Sequence, residues 1–266
     1  MAHPIYNQNL GLIGILAQSG TPTDCIVFTG ESSDFTLTVT NNDWDGTVEY
    51  STDRTTWTTW DGTDISSSNK KLYLRGSGNT TFYTGKGIRF VLSAKAGCSG
   101  NLNTLLEYNN PPTELSAKNC YRSMFDGCTN LTTAPELPAT TLPEYCYSGM
   151  FNGCTSLTTA PELPATTLAG FCYQGMFYRC TSLTTAPALP ATTLSDGCYF
   201  EMFSGCTKFK VSSSKTGSYQ YAWRIPTSGT ASTATLWNQS MLTNTGGTFT
   251  SNPSINTTYY VENKPV

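Results

Sequence analysis

A chain of 266 residues has material for one large or two ordinary domains and does not need cross-links to build a core. Its 15 Lys plus Arg against 18 Asp plus Glu leave a formal net charge of -3, and the basic residues form no run that follows a phosphate backbone, so nucleic acid is excluded as an expected partner. Only 12% of residues are charged, but 38% are hydrophobic and 12% aromatic, which points to ordered packing under a Thr-, Ser-, Asn- and Gly-rich surface.

Residues 1–23 carry no acid or base except His3. The longest apolar run, Leu10 to Ala17 ("LGLIGILA"), falls far short of the ~20 residues of a membrane-spanning helix. It has the length of a signal-peptide core, but no Lys or Arg precedes it. The segment is expected to be an uncharged arm that becomes ordered against another protein; a signal peptide is the alternative.

From Cys25 to about Leu92, "CIVFTG", "FTLTVT", "GTVEYS", "TTWTTW", "KLYLRG" and "IRFVLS" alternate apolar and polar residues, punctuated by Gly, Asn, Asp and Ser at about ten-residue intervals. This pattern predicts an antiparallel β-sandwich of the immunoglobulin-like kind over 24–97. Val48 and Tyr50 fall on one face, and the Trp57 and Trp60 rings are expected to pack.

The region 98–266 is governed by a repeat. Aligned on Cys120, Cys146, Cys172 and Cys198, it reads "CYRSMFDGCTNLTTAPELPATTLPEY", "CYSGMFNGCTSLTTAPELPATTLAGF", "CYQGMFYRCTSLTTAPALPATTLSDG" and a partial "CYFEMFSGCTKFKV", a period of 26. A fixed period of this size predicts stacked units, each covering its neighbour's apolar face. Leu157, Ala160, Leu163 and Leu168, interrupted by Pro161 and Pro164, suit an extended segment. In "TLPEYCYSGMFNGC", Thr141 and Glu144 fit a capping box, Pro143 the first helical turn and Gly153 a C-terminal stop, so a helix is expected with Cys146, Met150 and Cys154 on its inward face. "GNLNTLLEYNNPP" is expected to cap the stack at its start. From about 207 the motif fades into a C-terminal cap, with Met241, Leu242 and Phe249 as an echo of it.

"MFNGCTSLTTAPELPATTL" resembles the BspA-like, Treponema-type leucine-rich repeats over about residues 100–260. The resemblance implies a mixed fold, an antiparallel β-sandwich followed by a leucine-rich-repeat α/β solenoid with capping ends. It also implies a non-enzymatic surface protein. The first expectation is a phage virion protein, either a capsid decoration or head fibre or a tail-fibre component, held to other virion proteins through residues 1–23. Such a protein would display its repeats for multivalent adhesion to host-cell or mucus glycans or to a protein receptor, as a homo-oligomer or a multivalent array. A secreted or surface-anchored bacterial adhesin is the alternative, and a glycan-degrading enzyme the third.

Eight of the ten cysteines lie in the repeats. Their Cys-x7-Cys spacing without a nearby His does not suit zinc, and their apolar surroundings do not suit a reactive thiol, so reduced, buried columns are expected and neither metal nor cofactor is. His3 is the only histidine, which removes the base of a Ser-His or Cys-His mechanism. Glu136 and Glu162 recur like a glycosidase carboxylate pair, but Ala188 holds the third position, so they are expected to be solvated charges. For binding, Tyr121, Tyr147, Tyr173 and Tyr199 form a candidate aromatic ladder for carbohydrate. The copies differ at Arg122/Ser148/Gln174, at Ser123/Gly149/Gly175, at Asp126/Asn152/Tyr178 and at Pro143/Ala169/Ser195. From these, Arg122, Ser148, Gln174, Asn152 and Tyr178 join the candidate surface.

Overall fold

The structure, a computed structural model, describes residues 24–184, 187, 189–191 and 195–206, together with the backbone of three later strands. The expected arm at 1–23, Ala188 and the echo at Met241, Leu242 and Phe249 lie outside the described residues. The described residues are mostly antiparallel strands in open sheets, with almost no helix among them.

The alternating runs become strands because their apolar members share one face. β1 (Ile26–Gly30), β3 (Thr47–Ser51), β4 (Thr58–Thr59), β6 (Lys71–Ser77) and β8 (Ala96–Ser99) make an antiparallel sheet in the order β4-β3-β6-β1-β8. β2 (Thr36–Val39), β5 (Ile65–Ser66) and β7 (Phe90–Leu92) make a second, in the order β5-β2-β7. Leu72 and Leu74 turn inward from β6 while Lys71, Tyr73 and Arg75 turn outward, the two-residue period of a pleat with one buried face. The inner faces meet through Phe28, whose ring lies 6.4 Å from Phe35 and 6.1 Å from Phe90.

The repeats follow directly on these sheets. Phe125 of the first unit lies 6.3 Å from Phe28 and 5.5 Å from Phe90, so a single apolar core runs from the sheets into the units. Backbone bonds cross the same junction: Phe82 N–H and Phe90 N–H donate to the carbonyls of Cys120 and Met124, and Cys98 N–H donates to that of Thr133. "GNLNTLLEYNNPP" supplies a single 3₁₀ turn, Leu102–Leu105, and Leu102 N–H donates to the Glu136 carbonyl.

The helix expected in each unit is absent. Within 119–128 the amides of Arg122, Met124, Asp126 and Cys128 donate to the carbonyl three residues back. The alternate amides, of Asn119, Tyr121, Ser123, Phe125 and Gly127, donate instead to Glu144, Cys146, Ser148, Met150 and Asn152 of the next unit. The same five inter-unit bonds recur from 145–153 to 170–178 and from 171–179 to 196–204. An α-helix would spend every one of these amides on its own turn, four residues back. This chain alternates between a local turn and a neighbour, and so satisfies each polar group while stacking.

That alternation imposes a left-handed backbone at every fourth residue. Positive φ occurs at Asn119, Ser123 and Gly127, at Tyr145, Gly149 and Gly153, at Phe171, Gly175 and Arg179, and at Gly197, Glu201 and Gly205. The expected capping box is not formed either: Thr141 lies in β9 (Thr141–Leu142), and the Glu144 carboxylate pairs with Lys118 at 2.6 Å. β9 and β10 (Thr167–Leu168) pair in parallel, unit to unit, on the extended side. Nearer the C-terminus β11 (Val211–Ser212), β12 (Tyr219–Arg224) and β13 (Thr258–Glu262) form an antiparallel sheet in the order β11-β13-β12.

Candidate functional site

Two columns of rings run through the stack. Tyr121, Tyr147, Tyr173 and Tyr199 lie 5.9, 5.9 and 5.8 Å apart, with Phe82 capping the column 5.8 Å from Tyr121. Phe125, Phe151, Phe177 and Phe203 stack at 5.5 to 5.7 Å. All eight rings are buried. The tyrosines therefore cannot meet a carbohydrate, and the candidate ladder of Tyr121, Tyr147, Tyr173 and Tyr199 is corrected to core. The cause is geometric: without a helix, the residue after each Cys turns inward with it. Tyr121 donates its hydroxyl to Asn103 Oδ1 at 3.1 Å, whereas the buried Tyr147 hydroxyl has no partner among the described residues. Desolvation holds these phenols well above their ordinary pKa.

The ten cysteines are buried and free. The second Cys of a unit ties it to the unit before: the thiols of Cys154, Cys180 and Cys206 donate to the carbonyls of Phe125, Phe151 and Phe177 at 3.1, 3.0 and 3.0 Å. Burial pushes Cys180 and Cys198 up to about 12 and Cys128 to about 11, so these thiols are not poised nucleophiles. Among the described residues no group of three or more His, Cys, Asp or Glu is placed to hold a metal ion, and no helix is long and apolar enough to cross a membrane. Glu136 and Glu162 are both exposed.

Of the other candidates, Ser148 is buried, and its hydroxyl meets Gln174 Oε1 at 3.4 Å; it is corrected to an interior position. Arg122, Gln174, Asn152 and Tyr178 are half-buried on the turn side of the stack. The Arg179 guanidinium lies 5.0 Å from the Tyr178 ring.

Around Arg122 the structure assembles a row that the repeat comparison did not single out. Its guanidinium lies near two rings, 5.6 Å from the centre of Tyr83 and 5.3 Å from that of Tyr145, and Nη1 donates to Asn119 Oδ1 at 3.3 Å. Tyr145 stacks on Phe171 at 5.1 Å and 5°, and the Phe171 ring in turn leaves no room for a Cβ at Gly197. Tyr83, Arg122, Tyr145 and Phe171 thus form a continuous half-buried row along the turn face.

The signal in the sequence was the series Asn119, Tyr145, Phe171, Gly197. Asn and Gly tolerate a left-handed backbone, while a bulky aromatic there is an outlier. Tyr145 and Phe171 hold φ of 57° and 56°. The mixture became meaningful only once the turn geometry showed that the position requires positive φ.

Compared with protein-family models, with curated proteins and with solved structures, the chain matches none.

Proposed function

We propose that this chain is a non-enzymatic display protein: an immunoglobulin-like β-sandwich carrying a leucine-rich-repeat solenoid of BspA-like type, exposed on a phage virion and used for adhesion to the surface of a bacterial host. The observation that carries the adhesive function is the strain at Tyr145 and Phe171. A left-handed backbone costs an L-residue ~1–2 kcal/mol, and the stacking of the two rings returns ~0.5–1.5 kcal/mol beyond what their partial burial contributes. Asn119 and Gly197 fill the same position without a ring, so the stack of units does not require one. Strained aromatic side chains at a half-exposed surface suit contact with a partner better than they suit the fold.

The repeated architecture supports multivalent use. Each unit adds the same five backbone bonds, so surface is extended without a new core design. Weak contacts distributed over many displayed copies give strong attachment.

The test is adhesion of the full chain to bacterial cells, compared with the Tyr145→Asn/Phe171→Gly double variant. The variant is expected to keep its thermal unfolding temperature within a few degrees and to lose most cell binding. Undiminished binding by a folded double variant refutes this surface as the adhesive one. Immunogold labelling of intact virions with an antibody to the chain tests the location, and absence of label from particles refutes it.

A further inference from the structure

We infer that Arg122 is the receptor for a carboxylate, carried by an acidic saccharide such as a uronic acid. This rests on the adhesive function proposed for the turn face and names the chemistry that face would recognise.

The protein contains an internal reference for the site. Arg75, on the outer face of β6, also lies near two rings, 4.0 Å from Trp57 and 4.2 Å from Tyr108. Its guanidinium edge is filled by a carboxylate, with Nε to Glu49 Oε2 at 2.7 Å. Arg122 repeats the two rings, at greater distance, but not the acid. Among the described residues Arg54, Arg75 and Arg89 each meet a carboxylate, at 2.7, 2.7 and 2.9 Å, whereas Arg122 and Arg179 meet none; of these two, Arg122 lies beside two rings and Arg179 beside one. Two acids of the turn segments are already committed, Asp126 to Arg89 and Glu144 to Lys118.

The chemistry of the place follows. A guanidinium whose side-chain partners are two rings and one amide oxygen keeps further N–H donors, and its planar fork matches a carboxylate in two hydrogen bonds. The edges of the Tyr83 and Tyr145 rings carry the positive end of the ring quadrupole, which also favours an anion. The surrounding side chains suit a saccharide: two tyrosine rings, Asn119, and the half-buried Gln174 two units along offer ring and hydrogen-bonding contacts. The fold does not require an arginine here, because Ser148, Gln174 and Phe200 hold the equivalent positions.

Titration of the full chain with an oligogalacturonate tests the inference, with an uncharged galactan, polyglutamate and a sulfated dextran as comparisons. The expected result is saturable binding to the oligogalacturonate and none to the galactan. Affinity should fall at least tenfold in Arg122→Gln and by an intermediate factor in Arg122→Lys, which keeps the charge and loses the fork. Gln174 shows that the backbone accepts glutamine at this position, and the thermal unfolding temperature of Arg122→Gln should be unchanged within a few degrees. Equal binding by wild type and Arg122→Gln overturns the assignment. Polyglutamate bound as tightly, with the same dependence on Arg122, assigns the site to an acidic peptide; sulfated dextran bound equally makes it a general anion site, and either overturns the saccharide carboxylate. If cells are bound but oligogalacturonate is not, the carboxylate assignment falls alone. If neither is bound, the adhesive function falls with it.

Discussion

The two halves of this molecule solve the same backbone problem by opposite means. In the sheets, strands far apart in sequence pair antiparallel, and each inward residue meets a different partner: Phe28 touches Phe35, Phe90 and Phe125 at tilted or edge-on angles. In the stack, every inward residue meets its own copy from the neighbouring unit, and the rings of Tyr147 and Phe151 lie nearly parallel to those above and below. Irregular packing fixes one arrangement through shape. Periodic packing fixes register by identity, and its cost is a backbone that must become left-handed at every fourth residue. Yet the two halves share one core, because Phe82 and Phe90 occupy the places that a preceding unit would fill.

The sharpest way to break this comparison is to remove a ring from the middle of a column. Phe151→Ala interrupts the column between Phe125 and Phe177 and is expected to lower stability by ~3–5 kcal/mol, read by chemical denaturation. Because the core is continuous, protection of amides from exchange is expected to fall in β1 and β6 as well as in the units. Loss confined to the units would show two independent cores.

Alkaline pH separates the halves next, since eight of the ten cysteines lie in the stack. A thiol held up near 12, as at Cys180 and Cys198, stays protonated in the folded chain while the unfolded chain ionises at about 8.5. Stability from these groups is therefore complete below the unfolded value and is lost as pH rises toward the folded one. Denaturation midpoints should fall steeply from about pH 9 to 11, and they should fall less in a variant with Cys154 and Cys180 replaced by Ser, which retains a donor for the carbonyls of Phe125 and Phe151. A flat profile would show that the thiols are not buried in solution.

A smaller effect tests the left-handed positions directly. Ser123→Gly relieves a φ of 58° and is expected to stabilise by up to ~1 kcal/mol, whereas Gly149→Ala, at the same place one unit on with φ 62°, is expected to destabilise by ~1 kcal/mol. Equal signs for the pair would contradict the backbone assignment.

The smallest effect belongs to the sheets. The Asp43 carboxylate accepts from the Thr84 hydroxyl and from the amides of Gly85, Lys86 and Gly87. Partial burial would raise its pKa, but these bonds outweigh it and lower the pKa to about 2. The contribution is present above the ordinary carboxylate pKa and disappears as pH falls through about 2, so Asp43→Asn should shift the denaturation midpoint slightly at pH 6 and not at the acid extreme.

The strands were legible wherever alternation was long: "CIVFTG", "FTLTVT" and "GTVEYS" contain β1, β2 and β3, and "KLYLRG" covers β6 up to its last residue, Ser77. β5 and β8 were missed because Ile65–Ser66 and Ala96–Ser99 carry too few large apolar residues to show a period, and pairing with β2 and β1 makes them strands. At the site, Arg122 was legible as a place where copies differ. Tyr83 was not, because it stands outside the repeat and reaches Arg122 only through the packing of the sheets on the first unit.

By itself the sequence determined the period, the inward Cys, Met and Leu residues and the stacking of units, because a recurring apolar set has no way to be buried except against its own copies. The tertiary structure alone decided that the segment around Cys146 turns rather than coils. Thr141, Pro143 and Glu144 are compatible with a helix start, but local propensity counts only bonds within the segment. Five amides of each unit find carbonyls in the next unit, and that choice turns the tyrosines inward and leaves Tyr145 and Phe171 at the surface.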